Sequence, residues 1–437
     1  MRKLITVFFI LTGFIYAQEK TFTLEESLQT GIVNSKELKI SKADLVSSEA
    51  NLSEQTSNLL PDLSFNASYT RLSDIKPFEI YIPAFGQTLT VQEPILDNYT
   101  FKLSLQQPLF TGFRLTSLRD AAKYQKKAAQ AEYDKDINEE AYNIYTAFWN
   151  YYKAQQILTL INENLKSLSE HLEDTRNFLE NGLVTRNDLL KIEVEYANTR
   201  VKKIEAENNL KLAQASFNKA IGLELSRNTG IDADAPDSTA LSANFNELLN
   251  TAFTNRQELK ITQYQINANK ENIDAASSSF FPSVYLFGNY YYSRPNQRIM
   301  PAEDKFYDTW DAGVSLQWEL WNWGGTSAKV TQAKQQKIKA ETSYNIIKEN
   351  IELEVYNNYL KTISEYDKVQ LNKKTVEQAE ENYRITKNKY NDQLSTSTDL
   401  IDAEVMLLDA QTNLTNALVD LELAKVRLSK SVGLKIY

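Results

Sequence analysis

The fold of this 437-residue chain is decided by a run that opens with Leu105-Gln106-Gln107-Pro108-Leu109-Phe110 and continues to residue 223. The chain repeats this run as residues 316–434, because identical residues return at a constant distance of 211 positions. The matched pairs include Leu105 and Leu316, Thr185 and Thr396, Asp188 and Asp399, Glu193 and Glu404, and Gly222 and Gly433. A repeat of this length indicates one structural unit that the chain uses twice.

The repeat also extends backwards, where the distance between the copies is 221 positions. Asn34 recurs as Asn255, and Pro61 recurs as Pro282. One copy therefore has ten more residues between its proline and its Leu-Gln pair, and an exposed loop tolerates such a difference best. We assign the first repeat to residues 18–223, the second to residues 244–437, and a linker to residues 224–243, which contain Gly230, Asp232 and Pro236.

The first 17 residues have the pattern of a secretory signal. Met1-Arg2-Lys3 precedes an apolar run that ends at Ala17, and this order gives a charged n-region, an apolar h-region and a small residue at the cleavage site. An N-terminal membrane helix is the alternative, but it requires roughly 20 apolar residues. The sequence therefore predicts an exported protein whose signal peptide, residues 1–17, is cleaved.

Composition argues against most binding and catalytic classes. The formal net charge is −9, and it becomes −11 when Arg2 and Lys3 leave with the signal, so nucleic acid is not an expected partner. The chain has no cysteine, which excludes disulfides and thiolate chemistry. The one histidine, His171, lies in a charged helical stretch and is interpreted as a solvated side chain. With no phosphate loop, serine elbow or metal-ligand cluster, the sequence predicts no enzyme, metal or cofactor.

The sequence predicts four strands, at residues 62–73, 98–109, 283–294 and 308–321. A period-two alternation of apolar and polar residues indicates the first, second and fourth, and richness in aromatic residues indicates the third. The clearest is the last, where Trp310, Val314 and Trp318 alternate with polar residues. The third is aromatic on both faces, so its orientation stays open. Strands of this length with one apolar face are typical of transmembrane β-strands that line a wet interior. A soluble sheet is the alternative, although neither copy offers a layer to cover the apolar face.

The connections between these strands differ in length. Residues 74–97, which contain Pro77, Pro83 and Pro94, predict a long irregular loop, and residues 295–307 are its shorter counterpart. The extra ten residues of the first copy fall here.

The remaining segments predict very long helices. A capping box at Thr23 and Glu26 opens a helix to about residue 58. No proline interrupts residues 109–235 or 302–437, so residues 113–181 can form one helix of roughly 100 Å. Gly182 and Thr185 then provide a C-cap and an N-cap for a turn into the next helix. In the second copy, large and small residues alternate along a heptad seam from Leu400 to Leu428.

Four membrane strands cannot close a barrel alone. An open edge in lipid leaves unpaired backbone groups that each cost several kcal/mol, and about eight strands are the practical minimum. Other copies of the chain must therefore complete the sheet, and three chains would supply twelve strands.

Taken together, these features resemble the TolC family of outer-membrane factors over essentially all of the mature chain. The motifs that carry the resemblance are the Asn34 to Leu38 segment, the Leu-Gln-Gln-Pro-Leu-Phe junction at 105–110, Gly182-Leu183-Val184-Thr185, and the duplicated layout. The resemblance implies a mixed α and β membrane protein of Gram-negative bacteria. Three chains would form a 12-stranded barrel in the outer membrane, continued by an α-helical coiled-coil tunnel through the periplasm, with the linker at the equator.

The resemblance also implies partners. Such a homotrimer conducts drugs, metal ions or proteins passively as the outer-membrane channel of a tripartite efflux or type I secretion system. A periplasmic adaptor and an inner-membrane transporter of the resistance-nodulation-division or ABC class hand over the cargo. The alternative is a periplasmic coiled-coil scaffold or adaptor with a soluble β-domain, which would not leave Trp310, Trp318 and Leu320 facing outward.

Candidate site residues cluster at the two turns between long helices. By resemblance, Asp399 and Asp402 line the periplasmic aperture, Asp188 and Tyr390 belong to a closed-tip hydrogen-bond network, and Gly182, Leu183, Val184 and Thr185 dock an adaptor. Ser395 replaces the arginine of that network, and Asp392-Gln393-Leu394 replaces the family's Val-Gly-Leu in the second copy. Thr185 with Asp188 and Thr396 with Asp399 also have the spacing of helix caps, which is the structural alternative. Asp402 lies outside the caps, and its first-copy equivalent is Lys191.

Overall fold

A computed structural model describes residues 20–437, and the predicted signal peptide at 1–17 lies outside the described residues. The first repeat and the linker contain β1 (Lys20–Phe22), α1 (Leu24–Asn34), α2 (Lys36–Ser57), β2 (Asp62–Arg71), β3 (Phe78–Ile82), β4 (Gln87–Gln92), β5 (Asp97–Thr111), α3 (Arg114–Glu180), α4 (Arg186–Ala220) and β6 (Thr229–Ile231). The second repeat contains α5 (Phe245–Asn255), α6 (Gln257–Ser277), a 3-10 turn (Ser278–Phe280), β7 (Ser283–Arg294), β8 (Tyr307–Gln317), α7 (Gly325–Asn391) and α8 (Ser397–Ser431).

The helices have matching lengths in the two repeats. α3 and α7 have 67 residues each, α4 and α8 have 35 each, and α1 and α5 have 11 each. At 1.5 Å per residue, α3 and α7 are each about 100 Å long. The long helix predicted at residues 113–181 is confirmed as α3. Within residues 20–437, no helix is both long and apolar enough to cross a membrane.

The single helix predicted from residue 23 to about residue 58 is wrong, because the chain breaks at Ser35 between α1 and α2. Ser35 has an extended ψ of 127°, and its amide donates to Gly31 O to end α1. Its hydroxyl then accepts from the amide of Leu38 in the first turn of α2. One residue thus ends one helix and caps the next. The second copy has the same backbone break at Arg256, where ψ is 124° and the amide donates to Ala252 O to end α5.

The described residues form two compact units. The first comprises residues 20–40, Asp134–Arg256 and Glu349–Tyr437, and the second comprises Ser41–Tyr133 and Gln257–Lys348. In the first unit, β1 pairs in parallel with β6, and Phe22 packs edge-on against Phe217 at 6.3 Å. Phe148 and Phe217 are fully buried there, so aromatic packing dominates this core cluster.

The second unit is built on a four-stranded antiparallel sheet in the order β2-β5-β7-β8. The strand predicted at 308–321 is too long, because β8 ends at Gln317. Gln317 pairs with Ser283, the first residue of β7, so the ladder stops there. The prediction of an irregular loop at 74–97 is also wrong, since β3 and β4 form a hairpin inside it. Gly86, at φ +64°, allows the tight turn that joins them.

Register places one apolar row straight across this sheet. Phe65 pairs with Leu103, Leu103 pairs with Tyr290, and Tyr290 pairs with Trp310. The neighbouring row is polar and runs through Ser64, Ser104, Asn289 and Asp311. Because side chains alternate between faces, pairing fixes the orientation of β7 that the sequence pattern leaves open.

Candidate functional site

The first helix turn, between α3 and α4, ends α3 with a Schellman motif. The amide of Leu183 donates to Phe178 O at 2.8 Å, and the amide of Gly182 donates to Leu179 O at 3.0 Å. Gly182 has φ +67°, and a Cβ built on it would meet no atom within 4 Å. Glycine is therefore favoured here because of the left-handed backbone conformation, and not because another segment packs closely against it.

The second helix turn, between α7 and α8, has the same hydrogen bonds with a different residue at the left-handed position. Leu394 N donates to Lys389 O at 2.7 Å, and Gln393 N donates to Tyr390 O at 2.9 Å. Gln393 adopts φ +61°, which is unfavourable for a residue with a Cβ by about 1–2 kcal/mol. Leu183 and Leu394 are exposed in their turns.

Asp188 and Asp399 close capping boxes at the starts of α4 and α8. Asp188 accepts from the amide and the hydroxyl of Thr185, at 2.9 and 2.6 Å. Asp399 accepts from the amide and the hydroxyl of Thr396 and from the hydroxyl of Ser395. Hydrogen bonds from these threonine hydroxyls are the main cause that lowers the pKa of each carboxyl below its ordinary value. Both acids are thus ionised helix caps at neutral pH.

Asp402 differs from these two acids. It lies one turn after Asp399 on α8, it is exposed, and it belongs to no cap. Lys191, its first-copy equivalent, donates from Nζ to Thr398 Oγ1 at 2.9 Å across α4 and α8. The start of α8 therefore presents two exposed acids on one face, whereas α4 presents one acid and one base.

Tyr390 is buried beside α3 and not hydrogen-bonded to the first cap. Its hydroxyl lies 2.8 Å from Thr175 Oγ1, and its ring meets the His171 imidazole edge-on at 4.9 Å. Burial is the largest cause that raises the pKa of Tyr390. Asp188 accepts hydrogen bonds from Thr185 and affects the pKa of Tyr390 only through its charge. Among the described residues, the two members predicted for one network therefore lie in separate hydrogen-bond groups.

His171 is not solvated, and that interpretation is wrong. Its side chain is buried between α3 and α8, with Nδ1 at 3.3 Å from Glu404 Oε2 and Nε2 at 3.1 Å from Ser397 Oγ. Ser167 donates to the other carboxylate oxygen of Glu404 at 2.8 Å. Glu404 lies one turn after Leu400, a residue of the heptad seam, and therefore on the same face of α8. This spacing could have predicted a buried acid, which needs hydrogen-bond partners.

The comparisons identify the family. The sequence model of the outer membrane efflux protein family matches residues 28–223 and 248–434, which is most of the chain. The chain belongs to the outer membrane efflux protein family. Its two matched segments fall on the two repeats. The TolC-type outer-membrane factors expected from the sequence are therefore confirmed as its relatives.

Individual members of the outer membrane efflux protein family are distant in sequence. Outer membrane efflux protein BepC of Brucella suis is 23% identical over 254 residues, 58% of this chain and 54% of that protein. Outer membrane protein TolC of Vibrio cholerae is 22% identical over 308 residues, 69% of this chain and 66% of that protein. The matches thus span about half to two thirds of the length of these relatives. The relatives are outer-membrane proteins, which supports an outer-membrane location for this chain.

The fold is shared with a solved outer-membrane protein. The outer membrane protein VceC from Vibrio cholerae superposes with a TM-score of 0.77 at 18% identity. The match covers 95% of this chain and 97% of that chain. A likeness at this identity shows the fold alone.

Proposed function

We propose that this chain is one protomer of a homotrimeric outer-membrane channel that conducts substrates passively. The observation that carries the proposal is the open sheet. β2 and β8 are its edges, and each pairs with one neighbour within the chain. In lipid, unpaired edge groups are too costly to persist. Three chains would join these edges into twelve strands.

The outward side chains support placing this sheet in a bilayer. Along β8, Trp310, Val314 and Leu316 are exposed on one face, and Trp310 is 73% exposed. Along β2, Leu63, Phe65 and Tyr69 are exposed in the same manner. A soluble sheet would cover such a face, whereas lipid contact stabilises it.

Assembly tests this proposal directly. The mature protein, purified in mild detergent, should have the mass of a trimer by light scattering and should break into monomers on heating. A stable monomer with intact β-structure by circular dichroism would overturn the proposal, because it would show that β2 and β8 need no partner.

The trimer would act with two partners that the family resemblance implies. An inner-membrane transporter of the resistance-nodulation-division or ABC class supplies the substrate, and a periplasmic adaptor joins it to the channel. The exposed turn at Gly182, Leu183, Val184 and Thr185 is the proposed adaptor contact. Gly182→Trp should stop export while the trimer stays in the membrane. Gly182→Asn is the matched control, since asparagine tolerates the left-handed conformation without bulk. Normal export in Gly182→Trp would count against docking there.

Asp399 and Asp402 are the proposed periplasmic aperture. In a trimer they would place six carboxylates around one opening, a focus that attracts cations. Single-channel conductance in a planar bilayer, with a trivalent cation on the periplasmic side, tests this role. The parent channel should be blocked, and the double change to Asn should remove the block.

Asp402→Asn separates the aperture from helix capping. Asp402 makes no cap, so this variant keeps the hydrogen bonds of Asp399. Weaker block in Asp402→Asn with normal trimer supports an aperture. If Asp402→Asn and the double variant are both blocked like the parent, or if only the double variant loses the trimer, Asp399 acts as a helix cap and not as part of an aperture. Asp188→Asn serves as the first-copy control and should keep the block.

A further inference from the structure

A collar of exposed apolar side chains surrounds one end of the four-stranded sheet. β5 ends and β7 begins at this end, since Thr111 pairs with Ser283, and β8 ends there at Gln317. The connections to α3, to β7 and to α7 all leave from it. We name as the junction collar the exposed residues of these connections: Phe113, Phe280, Phe281, Trp318, Leu320, Trp321 and Trp323.

The collar residues contact one another and remain open to the surroundings. Phe113 meets Phe281 edge-on at 6.4 Å, and Trp321 meets Trp323 edge-on at 5.8 Å. Trp318 Nε1 donates to Phe280 O at 3.2 Å, so this indole is oriented by the backbone. Trp321 is 74% exposed and Trp323 is 90% exposed. These side chains form an ordered apolar surface that the chain itself does not cover.

Trp323 is also held in a strained backbone conformation. Its φ is +56°, a region that disfavours any residue with a Cβ. The first-copy equivalent, 211 positions earlier, is Gly112 at φ +60°, which adopts this conformation without strain. An indole that is strained and almost fully exposed gains little from the fold of its own chain. An observed outlier of this kind points to a role outside the folded core.

Two exposed basic side chains lie next to the collar, at the starts of α3 and α7. Arg114 is the first residue of α3, and Lys329 is the fifth residue of α7. Both are exposed, and both lie within about 6 Å of the helix start along its axis. The headgroup layer on each side of a bilayer is roughly 5–7 Å thick. Glu319 is the acid within the collar segment, and Asn322 Nδ2 donates to its carboxylate at 2.9 Å.

With the sheet in the bilayer, as the proposed function requires, we propose that the junction collar binds anionic phospholipids. The indoles of Trp318, Trp321 and Trp323 occupy the membrane–water interface, where tryptophan is favoured. The guanidinium of Arg114 and the ammonium of Lys329 contact the headgroup phosphates and favour lipids with net negative charge. In this interface, lipid covers the Trp323 indole, which its own chain leaves 90% exposed.

Tryptophan quenching by brominated lipids tests the headgroup preference. The trimer in mild detergent is titrated with brominated phosphatidylglycerol or brominated phosphatidylcholine. The anionic lipid should reach half-maximal quenching at about 25-fold lower lipid than the zwitterionic one, since each of the two basic residues contributes about fivefold. Arg114→Gln with Lys329→Gln should bring the two lipids to the same midpoint.

A depth control uses the next exposed lysine. Lys334 is the tenth residue of α7, about 14 Å along the axis and beyond the headgroup layer, so Lys334→Gln should keep the preference. Equal midpoints for the two lipids in the parent protein would overturn the proposal, as would a preference that survives the double variant. If neither lipid quenches the fluorescence, the sheet does not lie in lipid. That outcome would contradict the proposed function itself.

Trp323→Gly tests the indole separately. This change copies Gly112 and relieves the strain, so the trimer should melt at the same or a higher temperature. Its maximal quenching by either lipid should fall, because one interfacial indole is gone. As a control, Trp149→Phe removes an indole from the buried core of the first unit, so the absolute loss of fluorescence on adding lipid should stay the same. Lower stability of Trp323→Gly with no loss of quenching would show a packing role and overturn the proposal.

Discussion

The two turns that join the long helices share a backbone and differ in side chains. Both end a helix with a Schellman motif and begin the next with a capping box, and their hydrogen bonds agree to within 0.2 Å at matching positions. The first has glycine at the left-handed position and the second has Gln393. Backbone hydrogen bonds therefore fix the turn, and the side chains are free to give each copy its own surface.

A second comparison concerns one glutamate in each copy. Glu193 on α4 lies near the surface and pairs with Arg176 at 3.5 Å, with its side chain 37% exposed. Glu404 on α8 occupies the equivalent position and is 3% exposed, between His171 and Ser167. Identical residues at equivalent positions thus have different surroundings, because the neighbouring helix faces differ.

The largest expected effect comes from this pair of glutamates. Glu404→Ala removes the hydrogen-bond partner of the buried His171 and of the half-buried Ser167 and should lower the free energy of unfolding by about 3 kcal/mol. Glu193→Ala breaks an exposed ion pair and should cost less than about 1 kcal/mol. The loss of helical circular dichroism in denaturant measures both. Equal effects would show that burial does not separate the two copies.

A glycine exchange between the turns should have an intermediate effect. Gly182→Gln gives the first turn the residue of the second and should destabilise the protein by about 1 kcal/mol. Gln393→Gly should stabilise it by about the same amount. Because a Cβ at Gly182 meets no neighbour, the backbone conformation alone sets the size of the change. Opposite signs in the same denaturation assay would support this reading, and matching signs would contradict it.

The smallest effect concerns pH. The caps lower the pKa of Asp188 and Asp399 in the folded state. Their stabilisation is therefore present at neutral pH and is lost as the pH falls below the ordinary carboxyl pKa of about 3.9, through the folded value. Asp188→Asn and Asp399→Asn should each lower the melting temperature at pH 7 and converge with the parent in acid.

Asp402→Asn is the matched control for this pH dependence, because Asp402 lies outside the caps. Its caps stay intact, so at pH 7 its melting temperature should fall less than that of either cap variant. A clear difference between Asp188→Asn and Asp399→Asn would mean that the two caps are not equivalent, despite their matching hydrogen bonds.

Local patterns in the sequence predicted the features that depend on near neighbours. Period-two alternation located β2, β5 and β8, an aromatic-rich run located β7, and the absence of proline predicted α3. The spacing of Thr185 and Asp188 predicted a cap that forms. The break at Ser35 and the β3–β4 hairpin were missed, because one residue or one short turn decides each of them and leaves little periodic signal.

The sequence by itself determined the repeat, the order of long helices and strands, and the family to which the chain belongs. Each of these depends on residues close together along the chain or on identity between copies. Only the tertiary structure decided that His171 is buried, since its partner Glu404 is 233 residues away. It also decided the orientation of β7, because Tyr290 joins the apolar row only through pairing with Leu103 and Trp310. Burial and register are set by contacts between distant segments, and no local periodicity encodes them.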